Sequence, residues 1–423
     1  MMAIVRHTCK LEGCISAPPS KSYTHRSLIA AMLAKETIHI RSPLLCEDTE
    51  ATIRACKSLG AYFAAREDSL VVRGPLKLKA PDVPIDCGES GSTMRFMIPI
   101  AALAEGTSTL TGAPSLLRRP VGPLVDALRD LGVHCISRNG YPPVVVNGRL
   151  VGGRTSIVGD VSSQFITGLL LACPLAEEDT ELNISTPLES KPYVRLTLNI
   201  LRRHGIVVNA SADLQRFHIP GQQTYSVTEH KVPGDYSSAA FMMAAASMIG
   251  STITIRSLDQ EPDQPDSEII SILKSMGAKV QVKAGSVEVE GGNLKAADVD
   301  CRDTPDLVPV VAALGCKASG STRITGVERL RFKESDRLAS ITELRKFGVE
   351  LEEAHGNLTV KAPPVLKGAE VNSHNDHRIA MACTIVGLSA ENETRIKGAE
   401  SVAKSYPKFF EDLIRLGGNI DLR

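Results

Sequence analysis

The sequence predicts an α/β protein made of repeated α+β units, six in all, shared between two lobes. Three observations predict it. First, a glycine follows an apolar helical run at Leu59-Gly60-Ala61, Leu131-Gly132-Val133, His204-Gly205-Ile206, Met276-Gly277-Ala278, Phe347-Gly348-Val349 and Leu416-Gly417-Gly418. The steps are about 70 residues, longer than the periods of common solenoids. Second, runs at 96–104, 165–173, 239–248, 307–314 and 379–388 are apolar nearly all round. Helices of that kind are buried inside a domain rather than laid on it. Third, 423 residues are too many for one ordinary core.

The elements follow in order. Residues 4–15 read as a first strand. Pro18-Pro19 then hold the chain extended and out of helix. In Ser20-Lys21-Ser22-Tyr23-Thr24-His25-Arg26, either Ser20 or Ser22 can cap the buried helix that runs through 28–33. Lys21 and Arg26 therefore stand at a helix N-terminus, where unpaired N–H groups and the helix dipole already favour an anion such as phosphate. Each repeated glycine is expected to end a helix in the left-handed conformation. Hairpins follow, for example 62–72 around Glu67-Asp68 and 279–290 around Ala284-Gly285. Another strand, a Ser- or Asp-rich loop and an Ala-rich helix open the next unit. The loops are Gly88-Glu89-Ser90-Gly91-Ser92-Thr93, Gly159-Asp160-Val161-Ser162-Ser163-Gln164, Pro233-Gly234-Asp235-Tyr236-Ser237-Ser238, Asp303-Thr304-Pro305-Asp306 and residues 372–377.

Three units per lobe fit the length. The last unit stops after Ile420-Asp421-Leu422, so the N-terminal strand is expected to close the second lobe. The lobes are then 21–233, and 1–20 with 234–423. Two crossings, near 20–21 and 231–234, would make a hinge, with helix N-termini of both lobes facing one anion-binding cleft.

Composition narrows the function. The formal net charge is +0, without the broad basic face that nucleic acid or an acidic membrane requires. No apolar run approaches the ~18 residues of a membrane span, and the first residues lack a signal-peptide pattern. The ten cysteines are scattered with no Cys-x-x-Cys, as free thiols are in a reducing compartment. No metal is expected. Tryptophan is absent and aromatics are 4%, so base-stacking platforms are not expected either.

The chemistry gathers at helix starts. Gly88 to Arg95 is a Gly-Ser loop whose N–H groups can cradle phosphate, though it lacks the Gly-Lys-Ser/Thr of a Walker A loop. Arg118-Arg119-Pro120 offers guanidinium forks for a carboxylate or phosphate. Ser162-Ser163-Gln164 and Ser190-Lys191 offer hydroxyls and an amide, without the partners that covalent serine catalysis needs. Any one of these could be a capped turn or a solvated charge. Lys333-Glu334-Ser335-Asp336-Arg337 and Asp376-His377-Arg378 are harder to dismiss, because charge that abuts a buried helix pays desolvation unless paired or used. Lys404 precedes the last helix. Lys21, Arg26, Arg95, Arg119, Lys333, Arg337, Arg378 and Lys404 in a neutral protein imply substrates with several negative charges. Asp306 and Glu334 remain as acid–base candidates.

These residues, collinear over the whole chain, resemble the 5-enolpyruvylshikimate-3-phosphate synthase family. The resemblance rests on Pro19-Ser20-Lys21-Ser22, Arg26, Gly91-Ser92 with Met94-Arg95, Arg119-Pro120, Ser162-Ser163-Gln164, Lys333 to Arg337, Asp376-His377-Arg378 and Ala403-Lys404. It implies a two-domain inside-out α/β barrel, each domain of three βαβαββ units with buried helices. It implies a cytoplasmic, monomeric transferase without cofactor, acting on phosphoenolpyruvate and shikimate 3-phosphate. Carried over residue by residue, Lys21, Ser22, Arg26, Ser162, Ser163, Gln164, Ser190, Asp306 and Lys333 would bind the shikimate phosphate. Lys21, Gly91, Arg119, Gln164, Arg337, Arg378 and Lys404 would bind phosphoenolpyruvate. Asp306 would be the base, Glu334 the acid, and Lys21 would assist proton transfer. The chain departs from the family at Glu89-Ser90-Gly91-Ser92, where Asn-Ala-Gly-Thr is common, and at Phe96, where some members have proline. The sister family, UDP-N-acetylglucosamine enolpyruvyl transferase, would need a reactive loop cysteine, for which only Cys87 and Cys135 are near.

Overall fold

The computed structural model describes residues 1–227, 229–259 and 264–423. It divides into two compact units, 21–232 and 1–20 with 233–423. Each has its own continuous apolar core.

Both units use one repeat. In the 21–232 unit, Ile85–Asp86 lies parallel to Thr107–Thr111, and Thr107–Thr111 is antiparallel to Tyr141–Asn147, the second arm of the hairpin begun by His134–Arg138. The helix Gly91–Ala101 joins the first two strands, and Gly122–Asp130 joins the second to the third. This is βαβαββ with strand order 1-2-4-3. Gly153–Ile157, Thr180–Ile184, Asn209–Ala210 and Arg216–Ile219 repeat it. In the remaining sheet Glu229–Lys231, at the end of that unit, supplies the strand parallel to Ile38–Arg41.

The N-terminal stretch corrects the sequence reading. It is two strands in two sheets, not one. Met2–Val5 sits between Thr394–Lys397 and Ile420–Leu422 as the last strand of the sixth repeat. Glu12–Ser16 pairs in parallel with Thr252–Arg256 as the first strand of the fourth. Between them the chain reaches from one sheet to the next, with Glu12 N–H donating to the Leu416 carbonyl and Leu11 N–H to Ser251 Oγ.

The apolar runs become the central helices. Tyr236–Ile249 is buried at every residue but its last, and all twelve residues of His377–Leu388 are buried. Each large aliphatic or aromatic side chain so buried contributes about 1.5–3 kcal/mol. The polar loops before these helices cap them. Ser90 Oγ accepts from Thr93 N–H, Ser162 Oγ from Gln164 N–H, Asp235 from Ser238 N–H and Asp376 from Arg378 N–H. The six repeated glycines all have positive φ, from 75° at Gly205 to 106° at Gly417.

Some boundaries differ. The helix expected over 338–347 is a short α-turn, Arg337–Ser340, running into a 3-10 helix, Ile341–Phe347. Asp306 lies in a 3-10 turn, Pro305–Leu307, just before the buried helix Val308–Gly315.

Candidate active site

The 21–232 unit carries one cluster at the N-terminal ends of its buried helices. Lys21 is the first residue of Lys21–Leu33. Its Nζ lies 2.9 Å from Asp48 Oδ2, on Glu47–Ser58, with both side chains mostly buried. One turn deeper the same two helices meet again, where His25 Nδ1 shares a 2.7 Å hydrogen bond with Thr52 Oγ1. From Thr52 the chain of bonds continues to Thr93 Oγ1 at 2.7 Å and on to Ser90 Oγ at 2.7 Å. Thr93 Oγ1 also donates to the Asp48 carbonyl at 3.2 Å. Lys21 is thereby tied to the start of Gly91–Ala101. Burial holds the His25 imidazole down to about 3, against the pull of Asp48, so it is neutral and serves only as a hydrogen-bonding post.

Gly91 opens that helix, and three side chains converge on its bare Cα. A Cβ there would lie 3.1 Å from Arg119 Nη1, 3.7 Å from Arg95 Nη1 and 3.8 Å from Gln164 Oε1. Gln164 is fixed between Arg95, whose Nη1 donates to its Oε1 at 2.7 Å, and Ser92 Oγ, which accepts from its Nε2 at 2.9 Å. Ser162 accepts from Arg95 at 3.4 Å, and the Arg95 guanidinium lies 5.2 Å over the Phe165 ring. Arg119 is different. It is buried, and its Nε and Nη2 have no hydrogen-bond partner among the described residues. Buried guanidinium donors left unmet are costly, so this one is built for an anion.

The remaining residues of this half lie beside the cluster. Arg26 is buried and heavily committed. Its Nε donates to Thr197 Oγ1 at 2.8 Å, its Nη2 to Thr167 Oγ1 and the Tyr193 carbonyl, and its Nη1 to the Ser22 carbonyl. It fastens Lys21–Leu33 to Ser163–Ala172 and Lys191–Arg203. Burial lowers its pKa to about 10, with Tyr193 and Tyr23 opposing. Ser163 is the buried first residue of its helix. Ser190 is buried in the left-handed region, φ 55°, at the N-cap position of Lys191–Arg203.

The other unit carries a cluster centred on Asp306. Its Oδ1 accepts from Lys333 Nζ at 3.2 Å and Arg337 Nη1 at 2.9 Å, and its Oδ2 from Arg378 Nη2 at 3.1 Å. Arg337 is fully buried and bridges three acids. Its Nε lies 2.9 Å from Asp376 Oδ2 and its Nη2 2.5 Å from Glu334 Oε2. Lys404 Nζ donates to the Asn375 carbonyl at 2.8 Å. Burial pushes the Asp306 carboxyl up, but Arg378, Lys333 and Arg337 outweigh it and hold the group well below its ordinary value. Burial lowers Lys333 despite Asp306. One buried acid lies close by. Asp266 accepts a hydrogen bond from Ser237 Oγ, and burial followed by the Asp306 charge raises it to about 7.

Among the described residues no three His, Cys, Asp or Glu side chains gather as a metal would require. Sequence reasoning missed Asp48, Thr52, Thr93, His25 and Asp266. Apart from the Thr93–Ser90 bond, the hydrogen bonds and ion pair described for them span 27 or more residues, and only Asp48 carried a local signal, an acid in the first turn of a helix.

Comparison with known proteins adds the family. A family model described as EPSP synthase (3-phosphoshikimate 1-carboxyvinyltransferase) matches residues 5–413. The chain is 43% identical over 430 residues, all of both chains, to the 3-phosphoshikimate 1-carboxyvinyltransferase of Methanocaldococcus jannaschii. It is 46% identical over 420 residues, 97% of each, to that of Methanococcoides burtonii. A solved EPSP synthase from Acinetobacter baumannii superposes with a TM-score of 0.84 at 28% identity, over 99% of each chain.

Proposed function

This chain belongs to the EPSP synthase family, and we propose how its residues perform that family's reaction. The enzyme is a transferase of the shikimate route to aromatic amino acids. It moves the enolpyruvyl group of phosphoenolpyruvate to the 5-hydroxyl of shikimate 3-phosphate and releases phosphate.

The proposal assigns Arg119, Gln164, the Gly91 helix start, Arg337, Arg378 and Lys404 to phosphoenolpyruvate. It assigns Ser22, Ser162, Ser163, Ser190, Asp306 and Lys333 to shikimate 3-phosphate, and Lys21 and Gln164 to both. Arg26 belongs to the second group by resemblance. Its bonding supports an indirect part, as the fastener of the Ser163–Ala172 and Lys191–Arg203 helix starts.

The observation that carries the mechanism is Asp306 held by three cations. A carboxylate so paired is a poor base. Anionic substrates would compete for Lys333, Arg337 and Arg378, and each cation they take leaves Asp306 more basic. Substrate binding thus arms the base at the 5-hydroxyl. Glu334, as substrate binding draws Arg337 away from it, takes up a proton and then delivers it to the methylene carbon of phosphoenolpyruvate. The central carbon gains cationic character, the 5-oxygen attacks it, and a tetrahedral phospho-ketal forms. Return of a methyl proton to the Glu334 carboxylate and departure of phosphate then yield the enol ether. The cations offset the charge on the leaving phosphate, so most of the rate comes from positioning and electrostatics.

The sister reaction with a nucleotide sugar is not supported. Burial raises the Cys87 thiol far above its ordinary value and Cys135 to about 12, which suits neither a nucleophile nor an acid at neutral pH. The direct test is phosphate release from the protein with both substrates, and with each alone. Release that needs both supports the assignment. Release with UDP-N-acetylglucosamine in place of shikimate 3-phosphate would overturn it.

A further inference from the structure

Glu343 lies outside the Asp306 cluster, on the 3-10 helix Ile341–Phe347, yet its carboxylate is fully engaged. Oε2 accepts from Lys346 Nζ at 2.7 Å and from the Asn372 backbone N–H at 2.9 Å, and Oε1 pairs with His374 Nε2 at 3.1 Å. Burial pushes this carboxyl up, but Lys346, the Asn372 N–H and His374 outweigh it, and its pKa is lowered. Two of the three partners belong to one turn, residues 372–376. That turn is unusual. His374 and Asn375 are consecutive non-glycine residues at φ 52° and 58°, a conformation that persists only when its surroundings impose it.

The turn carries groups of the reaction. The Asn375 carbonyl holds Lys404 Nζ at 2.8 Å, Asp376 holds Arg337 at 2.9 Å and Ser335 Oγ at 3.1 Å, and Arg378 follows at once. The segment 334–347 is therefore clamped to the turn at two points. At one end Arg337 binds Asp376. At the other, Glu343 binds Asn372 and His374. Glu334 and Arg337 lie on one side of the clamp, and Lys404 and Arg378 are held from the other. The start of the turn is also held elsewhere, by Asn372 in its strand beside Lys397 and by Ser373 Oγ donating to the Gly398 carbonyl at 2.9 Å. What Glu343 adds is a hold on the tip, through His374.

We propose that Glu343 is a positioning residue for the transfer reaction, which through the 372–376 turn sets Lys404 and Arg378 against Glu334 and Arg337. This rests on the assignment of Lys404, Arg337 and Arg378 to phosphoenolpyruvate. Glu343 touches no substrate. Its loss loosens the tip of the turn, which carries the Asn375 carbonyl, so the effect falls on phosphoenolpyruvate affinity more than on shikimate 3-phosphate.

The test compares Glu343→Gln, His374→Ala and Lys404→Ala in the full-length enzyme by steady-state kinetics, with melting temperature measured for each. Glu343→Gln is expected to raise KM for phosphoenolpyruvate roughly tenfold while KM for shikimate 3-phosphate moves by no more than about twofold. His374→Ala, at a half-exposed side chain, removes one tether and should shift the same constant less. In a Lys404→Ala background the Glu343→Gln effect should shrink, because the two act along one path. If Lys404→Ala raises KM for phosphoenolpyruvate and neither Glu343→Gln nor His374→Ala does, the positioning role is wrong and the site assignment stands. If Lys404→Ala leaves that constant unchanged, the site assignment itself fails. Equal rises in both KM values with a lowered melting temperature would make Glu343 a folding residue only, and would overturn the proposal.

Discussion

Two side chains are disposed to opposite ends at the scale of single residues. Glu334 is satisfied by Arg337 at 2.5 Å, and glutamine can keep a hydrogen bond there while losing the proton. Glu334→Gln is expected to lower kcat by about 10²–10⁴, the usual worth of a placed acid, with KM values changed only a few-fold. Turnover near the parent's would remove Glu334 from the acid role. Arg119 carries the opposite signature, donors without partners in a buried place. Arg119→Met removes the charge and keeps the bulk. KM for phosphoenolpyruvate should rise by about 2 kcal/mol or more, roughly thirtyfold, while the protein alone melts no lower than its parent, because an uncompensated cation has left the interior. A melting temperature several degrees lower would show that Arg119 works for the fold. What could be read in the sequence at this scale was the layer proposed to react. Lys21, Asp306, Glu334 and Arg337 stand in short charged stretches where helices begin, and such stretches announce themselves. Their supports did not. Asp48, Thr52 and Thr93 meet Lys21 and His25 only once three helices lie side by side. Arg26 shows the converse. Its position beside Lys21 suggests a ligand, whereas its hydrogen bonds show what it fastens.

At the scale of elements, a second set of glycines explains how a repeat closes. Gly74, Gly148, Gly221 and Gly291 each follow the last strand of a hairpin, and each presses on carbonyls at or just past the end of that repeat's buried helix. A Cβ at Gly148 would lie 2.3 Å from the Ala104 carbonyl oxygen and 3.1 Å from that of Ala102. The obstacle is backbone, which cannot step aside. Gly148→Ala should therefore cost about 1–3 kcal/mol, a fall of roughly 2–12 °C in melting temperature for a domain of this size. Calorimetry decides it, and an unchanged transition would mean that the hairpin end can lift off its helix. These glycines went unread because hairpin ends commonly carry glycine for their own turn, which hides the second reason. The helix-ending glycines were legible because a helix followed by Gly and a strand has one simple cause, and all six have the positive φ it requires. The N-terminal stretch was misread for a related reason. Residues 4–15 have strand composition throughout, and only the separate pairings of Met2–Val5 and Glu12–Ser16 divide them.

At the scale of the whole molecule, the two units differ in how they answer acid. His25, His204 and His230 are buried in the 21–232 unit, and burial holds their pKa values down to about 3, 4 and 4. His204 and His230 are 5.8 Å apart between ring centres, so protonating one opposes protonating the other. In the unfolded chain each titrates near 6.5, as free histidine does. Between about pH 6.5 and 4 the unfolded unit binds more protons than the folded one, so stability falls as pH falls, by about 1.4 kcal/mol per histidine per pH unit. Near pH 5 that is about 2 kcal/mol each, and even two of them match a large part of an ordinary domain's 5–15 kcal/mol. In the other unit, Asp266 has the opposite sign. Its folded pKa, about 7, is above that of a free carboxylate, so the neutral form is the one folding favours, and acid relieves it. Burial moves Asp412 in the same direction. Hydrogen exchange on the full-length protein, corrected for intrinsic rates, should show protection in 21–232 falling between about pH 7.5 and 5, with 233–423, where His377 is the one buried histidine among the described residues, falling less. Replacing His204 and His230 together by phenylalanine, which fits among Tyr23 and Tyr225, should remove most of the difference. Equal loss in both units, untouched by that double replacement, would show that carboxylates rather than buried imidazoles set the acid limit of this enzyme.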